Sequence, residues 1–125
     1  LHKPSFQCVI GDVADSLALF PFNSFGNMGR PEEVIRSLAL SRIPFLISSY
    51  STDAFANSVR ADYYKNCAYD GLKCDVNEKG VSFLSKDGLN TIAYHRDYLV
   101  NLFNEFGLKV APVDFSPMGV AYKSV

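Results

Sequence analysis

The stretch Leu17-Ala-Leu-Phe-Pro-Phe-Asn-Ser-Phe-Gly-Asn-Met-Gly29 decides the fold that this sequence predicts. It begins as a short apolar run and ends in a polar turn that contains Asn and Gly. Such a run is typical of a parallel strand covered on both faces, and ligands of open α/β sheets bind just beyond the carboxyl ends of these strands. The pattern therefore places Asn23 and Asn27 where a ligand would be met. The alternative is that both residues only supply turn geometry, because Asn and Gly tolerate positive φ.

The composition fits a single domain that spans residues 1–125. The chain is 48% hydrophobic, which is enough to bury one core. Its 12 basic and 13 acidic residues give a net charge of -1 without a basic cluster, so nucleic acid is disfavoured as a partner. No apolar run approaches the roughly 20 residues of a membrane span, and no secretory signal opens the chain, so no membrane is expected.

Cysteine usage favours a reducing compartment, and we expect a cytoplasmic protein. The three cysteines, Cys8, Cys67 and Cys74, are too few and too unevenly spaced for a disulfide scaffold. Their spacing relative to the two histidines does not match a zinc site, so no metal is predicted.

The first predicted strand, Ser5 to Ile10, ends at Gly11-Asp12 and so carries an acid at ligand height. The bridge from Val13 to Ser16 is too short for the crossover that two adjacent parallel strands need, which is a dozen residues or more. These two strands are therefore not neighbours, or a segment between them is missing. The chain also lacks an initiator Met, so we expect its start to be a cut.

The middle of the chain alternates helix and strand. A helix is predicted from Pro31 to about Leu40, and a strand from Ile43 to Ser49 that ends in a polar turn at 48–51. A second helix begins near Ser51 or Thr52 and ends near Asn66, with Phe55, Val59 and Tyr63 along one side. Residues 67–94 are predicted to be an insertion.

The insertion and the last third of the chain carry the clearest local signals. Residues 67–80 are turn-rich, and the runs 81–85 and 90–94 are predicted to form a β-hairpin appended to the sheet, because Asp87-Gly88 lies between them. The helix from Arg96 to Phe106 is the most regular in the chain, and Gly107 stands at its left-handed cap. The runs 108–115 and 118–122 are then predicted to pair as antiparallel strands.

The order of these elements resembles the second half of class I S-adenosylmethionine-dependent methyltransferases over nearly the whole chain. Val9-Ile10-Gly11-Asp12-Val13 looks like the third-strand motif of that family, and Leu17 to Asn27 looks like its fourth-strand motif. Tyr98 to Val110 looks like the last helix and the start of the sixth strand. The resemblance implies an α/β fold, namely a partial Rossmann-like sheet of strands three to seven with flanking helices and a final antiparallel pair.

The resemblance also implies the cofactor S-adenosyl-L-methionine and a set of site residues. Asp12 would receive the adenine amino group and Val13 and Ala14 would line the ring, with Phe22 and Asn23 completing the cofactor site. Catalytic roles fall to Asn23 and Tyr50. A small-molecule methyl acceptor is favoured, because Pro-Phe-Asn is not the Asn-Pro-Pro-Tyr pattern of relatives that methylate amino groups of nucleobases or glutamine. Acceptor contacts are expected from Phe25, Asn27, Tyr63, Tyr64 and Tyr94.

Each of these roles has a structural alternative. Phe22 and Phe25 would wall the pocket or belong to the ordinary core. The tyrosines would close over the acceptor or be amphipathic rings at the rim of a core. His95, between a strand and a helix, is expected to be a capping or surface residue rather than a general base.

Two parts of the family pattern are absent from this sequence: the glycine-rich loop after the first strand and the acid after the second. The resemblance places both upstream of Leu1, so residues 1–125 alone are expected to bind the cofactor poorly and to be inactive. Two alternatives are a non-catalytic partner that supplies half of a sheet and a free-standing α/β binding module. The first alternative implies association with an N-terminal half or with a second copy.

Overall fold

A computed structural model describes residues 17–125 as a mixed α/β fold with three α-helices and two β-sheets. The predicted strand Ser5 to Ile10 and the acid Asp12 lie outside the described residues. The helices are α1 (Pro31–Ser41), α2 (Ala54–Asn66) and α3 (Arg96–Glu105), and a 3₁₀ turn spans Phe25–Asn27. The strands are β1 (Ala18–Phe20), β2 (Phe45–Tyr50), β3 (Lys73–Val76), β4 (Gly80–Leu84), β5 (Asn90–Tyr94), β6 (Val110–Ser116) and β7 (Gly119–Ser124).

The larger sheet has the strand order β1-β2-β7-β6. β1 and β2 are parallel, whereas β7 is antiparallel to both of its neighbours. Strands β1, β2 and β6 therefore run in one direction, and their carboxyl ends share one edge of the sheet, which we call the carboxyl edge. The antiparallel pairing predicted for the last two strands is confirmed, with Val113 opposite Ala121.

β2 continues through most of the turn predicted at 48–51 and ends at Tyr50. Its pairing with β7 reaches Tyr50 opposite Gly119, and Ser51 still donates its backbone N–H to the Met118 carbonyl oxygen at 2.8 Å. Polar residues at positions 48–50 suggested an end to the strand. The neighbouring strand overrides that local preference, because it satisfies the backbone groups of these residues.

The core lies between one face of this sheet and the helices α1 and α3. Ile35 and Leu38 of α1 are fully buried, and Phe103 of α3 stacks on Phe45 of β2 with ring centroids 5.2 Å apart. The apolar spacing predicted for α3 is confirmed, and Gly107 follows it with φ 77°. Side chains of the sheet that point into this core are Ala18, Phe20, Phe45, Ile47, Val120 and Tyr122.

The opposite face of the larger sheet is apolar and exposed. Leu17 and Leu19 beside β2 are 58% and 60% exposed, and Val113 and Phe115 of β6 are 53% and 50% exposed. We call these four side chains the outer face. Leu17 and Leu19 alternate with the buried Ala18 and Phe20, because successive side chains of a strand point to opposite faces.

The smaller sheet has the order β3-β4-β5 and is antiparallel throughout. The predicted hairpin is confirmed as β4 and β5, but the expectation that it extends the main sheet is wrong. It pairs instead with β3, which forms inside the segment predicted to be turn-rich. All four residues of β3 are exposed, so the apolar alternation that signals a strand is absent from its sequence.

Helix α2 packs on the smaller sheet through a face different from the predicted one. Phe55 and Tyr63 are 56% and 59% exposed, whereas Ala56, Arg60 and Tyr64 are buried. The residues that pack on the sheet each follow a predicted one by one position along the helix. The middle one is Arg60, and a hydrophobicity pattern counts arginine as polar. Asp53 rather than Ser51 or Thr52 is the N-cap, and its carboxylate accepts from the Ala56 N–H at 2.8 Å.

Candidate functional site

The loop after β1 is held against β2 at the carboxyl edge. Asn23 donates its backbone N–H to the Ser48 carbonyl oxygen at 2.7 Å. Its φ of 56° lies in the left-handed region, which Asn tolerates better than most residues. Asn23 therefore supplies turn geometry, which was the structural alternative for this residue. That does not exclude an additional role in ligand binding.

The side chains around Asn23 form a buried hydrogen-bond chain, which we call the amide network. Ser49 Oγ donates to Asn23 Oδ1 at 3.2 Å, and Asn23 Nδ2 donates to Thr91 Oγ1 at 3.1 Å. The Thr91 hydroxyl in turn donates to Asn27 Oδ1 at 2.5 Å. The structure thus brings the two predicted asparagines together, but Asn23 is 5% exposed and already engaged at both amide atoms.

The smaller sheet lies directly over this loop. A β-carbon added at Gly26 would collide with the carbonyl oxygen of Ile92 in β5, so the two backbones approach as closely as glycine allows. Thr91 of the same strand supplies the centre of the amide network. The insertion therefore covers the Asn23 loop, and the described part of the chain leaves that loop little direct access to a ligand.

Three aromatic rings remain accessible at the carboxyl edge, and we call them the rim cluster. The Phe22 ring lies edge-on to Tyr50 at 4.4 Å and to Phe115 at 6.0 Å between centroids. Phe22 is 42% exposed and Tyr50 is half-buried. Burial is the largest cause of a raised pKa at Tyr50, so its phenol is neutral at neutral pH.

Other predicted acceptor residues are placed apart from the rim cluster. Phe25 is 1% exposed and packs on Phe20 and Tyr94 in the core, so contact with a ligand would require rearrangement. Tyr63 is 59% exposed on α2, while Tyr64 is buried against Phe83 of the smaller sheet. The predicted cofactor residues Asp12, Val13 and Ala14 lie outside the described residues.

A cavity of about 350 Å³ opens on the other side of the carboxyl edge, where β2, β6 and β7 meet the start of α3. Tyr94 is the one predicted site residue among those that line it, and burial raises the pKa of its phenol to about 12. The remaining lining residues were not predicted to belong to a site, although several follow predicted strand ends. They are Ser51, Thr52, Asp53, Arg96, Asp114, Ser116, Pro117, Gly119, Val120 and Tyr122.

The charges of this cavity are partly neutralised. Arg96 and Asp114 form an ion pair, and their side chains are 43% and 68% exposed. Tyr122, on the cavity wall, has a pKa raised to about 12, chiefly because it is buried. The cavity is therefore polar at its mouth and holds two neutral phenols on its wall.

His95 ties the start of α3 to two other segments. Its Nε2 lies 3.0 Å from the Asn77 carbonyl oxygen and its Nδ1 lies 2.9 Å from Thr52 Oγ1. Because a carbonyl only accepts, Nε2 carries the proton, and in the neutral ring Nδ1 accepts from the hydroxyl. Both ring nitrogens are thus engaged with protein atoms, which is the arrangement of a structural histidine.

Among residues 17–125, no three His, Cys, Asp or Glu side chains come together in a way that could hold a metal ion. In the same range, no helix is both long enough and apolar enough to cross a bilayer.

A scan against models of known protein families finds no match, and a search of curated proteins finds none either. The fold and the site therefore define a mixed α/β protein with a polar and aromatic carboxyl edge.

Proposed function

We propose that this chain forms the acceptor-side part of a class I S-adenosylmethionine-dependent methyltransferase with a small-molecule acceptor. The observation that carries the proposal is the position of β7, which lies antiparallel between the parallel strands β2 and β6. A final antiparallel pair on an otherwise parallel sheet is what the resemblance implies. The loops after β1 and β2 also reach one edge, where ligands of such sheets bind.

The described residues fit a cationic donor at the rim cluster. Phe22 presents an exposed aromatic ring at the edge, and a sulfonium against the face of such a ring is a favourable cation–π contact. When bound, the cofactor supplies an activated methyl group, so the protein's main tasks are positioning and exclusion of water. Tyr50 and Phe22 would orient the reactants, and the amide network would fix the direction of the loop that carries Phe22.

A second candidate function is supported by the outer face. Leu17, Leu19, Val113 and Phe115 expose apolar surface, and within residues 17–125 strand β1 pairs on one side only, with β2. Exposed apolar patches and open sheet edges favour association with another polypeptide. The chain would then complete its sheet with an N-terminal half or with a second copy, whether or not the assembly is catalytic.

Calorimetric titration with S-adenosylmethionine tests the first proposal. We expect the product of the complete reading frame to bind the cofactor, and residues 1–125 alone to bind it much more weakly. In the complete product, Asp12→Ala should weaken binding roughly 10-fold to 100-fold, because a charged hydrogen bond is worth about 1.5–3 kcal/mol.

The matched control is Asp75→Ala, which removes a carboxylate from the exposed strand β3 and should leave affinity unchanged. If the complete product does not bind S-adenosylmethionine, the methyltransferase proposal is wrong. Sedimentation of the same samples addresses the second candidate, which requires an oligomer or a complex.

A further inference from the structure

The guanidinium of Arg60 is completely buried, and two of its three nitrogens have no hydrogen-bond partner. Arg60 is 0% exposed. Its Nη1 donates to the Val81 carbonyl oxygen at 2.9 Å, whereas Nε and Nη2 are buried without any hydrogen-bond partner. An unpaired buried charge is among the costliest features a fold can carry, so these donors call for an acceptor.

No acidic side chain in the described part of the chain forms an ion pair with Arg60. The ion pairs found there join Arg30 to Glu33 and Arg96 to Asp114. The neighbours of Arg60 are aromatic instead: its guanidinium carbon lies 5.1, 5.8 and 4.8 Å from the ring centroids of Tyr50, Tyr64 and Phe83. Tyr50 does not supply a negative charge either, because burial raises the pKa of its phenol.

The free donors have the geometry of a carboxylate site. Nε–H and one N–H of Nη2 lie side by side on one edge of the planar guanidinium, and this fork matches the two oxygens of a carboxylate. Nη1, on the other edge, is anchored to β4 through Val81. One edge of Arg60 is thus fixed in place while the other is left free and desolvated, which strengthens any charged hydrogen bond it makes.

The site adjoins the rim cluster. Of the three rings around Arg60, Tyr50 is the most exposed, while Tyr64 and Phe83 are 8% and 2% exposed. Tyr50 also contacts Phe22 at the carboxyl edge. A ligand would therefore reach Arg60 from the Tyr50 side, by displacement of that ring, and would find aromatic walls around the cation.

We propose that Arg60 is the anchor of a binding site for a small aromatic carboxylate. The site stands on the geometry of residues 50–83 and does not require methyl transfer. If the proposed function holds as well, this carboxylate belongs to the methyl acceptor, which gives the acceptor a chemical class. Failure of cofactor binding would leave the anion site intact, so the two proposals can fail separately.

Benzoate, with benzamide as its neutral counterpart, tests the site on the chain 1–125 without cofactor. We expect benzoate to bind at least 10-fold more tightly than benzamide by calorimetry. We also expect it to raise Tm by roughly 5 °C when present at ten times its Kd. In nitrogen-15 spectra, the Arg60 Nε–H resonance should move on addition of benzoate, because that proton enters the new hydrogen bond.

Two substitutions of Arg60 separate the contribution of its positive charge to benzoate binding from that of its planar geometry. Arg60→Lys keeps the charge but loses the fork and should weaken benzoate binding at least 10-fold, while Arg60→Met should abolish it. Arg36→Met is the control, because the Arg36 guanidinium also lies over a ring, that of Phe106 at 5.4 Å, but on the exposed side of α1. It should leave benzoate affinity unchanged.

Two results would overturn the proposal. One is equal affinity for benzoate and benzamide, and the other is undiminished benzoate binding by Arg60→Met. Should the variants fail to fold, the wild-type spectrum still decides, since an Arg60 Nε–H resonance that does not move with saturating benzoate rules the site out.

Discussion

Asn23 joins three segments that are far apart in the sequence. Its side chain bonds to Ser49 in β2 and to Thr91 in β5, and its backbone takes a left-handed conformation. One residue thus links the larger sheet, the site loop and the smaller sheet. Its side-chain amide stabilises the fold. Asn23 would affect a bound ligand only indirectly, because it fixes the position of the preceding residue, Phe22.

Asn23→Ala should destabilise the chain by about 2–3 kcal/mol. The substitution removes the buried amide that bonds to the hydroxyls of Ser49 and Thr91. It also places Ala, which has no polar side chain for local hydrogen bonding, at a φ of 56°. The measurement is urea unfolding followed by circular dichroism. Asn101→Ala on the exposed side of α3 is the control and should change stability by less than about 0.5 kcal/mol. Equal effects of the two substitutions would show that the amide network contributes nothing.

Asn23 and Asn27 were found from sequence because an apolar run that ends in Asn and Gly has a local signature. Ser49 and Thr91 were not, although they complete the same network. They lie 26 and 68 residues from Asn23, and a Ser or Thr within a strand pattern carries no sign of such a partner. Arg60 was missed for a related reason, since nothing in a single sequence marks one arginine of a helix as buried.

The three helices in the described part of the chain end in the same left-handed backbone conformation, but with different residues. Gly107 follows α3 with φ 77°, as its sequence indicates, whereas Arg42 and Ala68 take φ values of 56° and 59° after α1 and α2. Left-handed backbone disfavours a residue with a β-carbon and suits glycine. Two of the three helices described in residues 17–125 therefore end at a residue that is poorly suited to its conformation.

Ala68→Gly should stabilise the chain by about 0.5–1 kcal/mol, because relief of the left-handed conformation exceeds the added entropy of the unfolded glycine. Ala68 is exposed, so no packing is lost. Differential scanning calorimetry should show a Tm higher by a few degrees. The reverse substitution, Gly107→Ala, should lower Tm by a comparable amount. A lower Tm for Ala68→Gly would mean that contacts of the Ala68 methyl group stabilise the chain by more than the left-handed backbone conformation destabilises it.

Elements with strong local periodicity were predictable, and those that depend on a partner were not. α3 combines regular apolar spacing with a glycine stop, so its limits agree with the structure within one residue. β3 exists because β4 offers it a pairing edge, and its own sequence, Lys-Cys-Asp-Val, gives no strand signal. The buried face of α2 depends in the same way on the sheet that it meets.

The molecule carries two buried phenols with a pKa raised to about 12, and they make its stability sensitive to alkali. Tyr94 and Tyr122 both have a pKa raised to about 12, mainly by burial, against an ordinary value of 10. A raised folded-state pKa contributes stability that is complete below pH 10 and is lost as the pH rises through 12. Both rings lie on the wall of the 350 Å³ cavity, so alkali would loosen this region first.

Tyr122→Phe should therefore make the chain less sensitive to pH between 10 and 12. Between pH 9 and pH 11, Tm of the wild type should fall by several degrees more than Tm of the variant, because the variant keeps only one of the two phenols whose pKa is raised in the folded chain. Tyr69→Phe, outside the cavity, should follow the wild type. Parallel loss of Tm in Tyr122→Phe and wild type would show that ionisation of this phenol does not drive alkaline unfolding.

At the scale of the whole chain, the sequence predicted strand directions better than it predicted strand partners. The two-residue connection at Pro117-Met118 forces β6 and β7 to be antiparallel, so that pairing follows from length alone. Whether the hairpin of β4 and β5 joins the larger sheet or builds its own depends on long-range packing. Only coordinates reveal that the insertion lies over the Asn23 loop.

The close approach of Gly26 to Ile92 provides a sequence marker for homologues of this chain. A hydrogen atom is all that position 26 can carry while β5 stays where it is. Any homologue that retains the three-stranded insertion in this place must keep glycine there, and a homologue with a larger residue must have lost or displaced the insertion. Diverged sequences can be sorted by that single position, even where overall identity is too low to align the insertion.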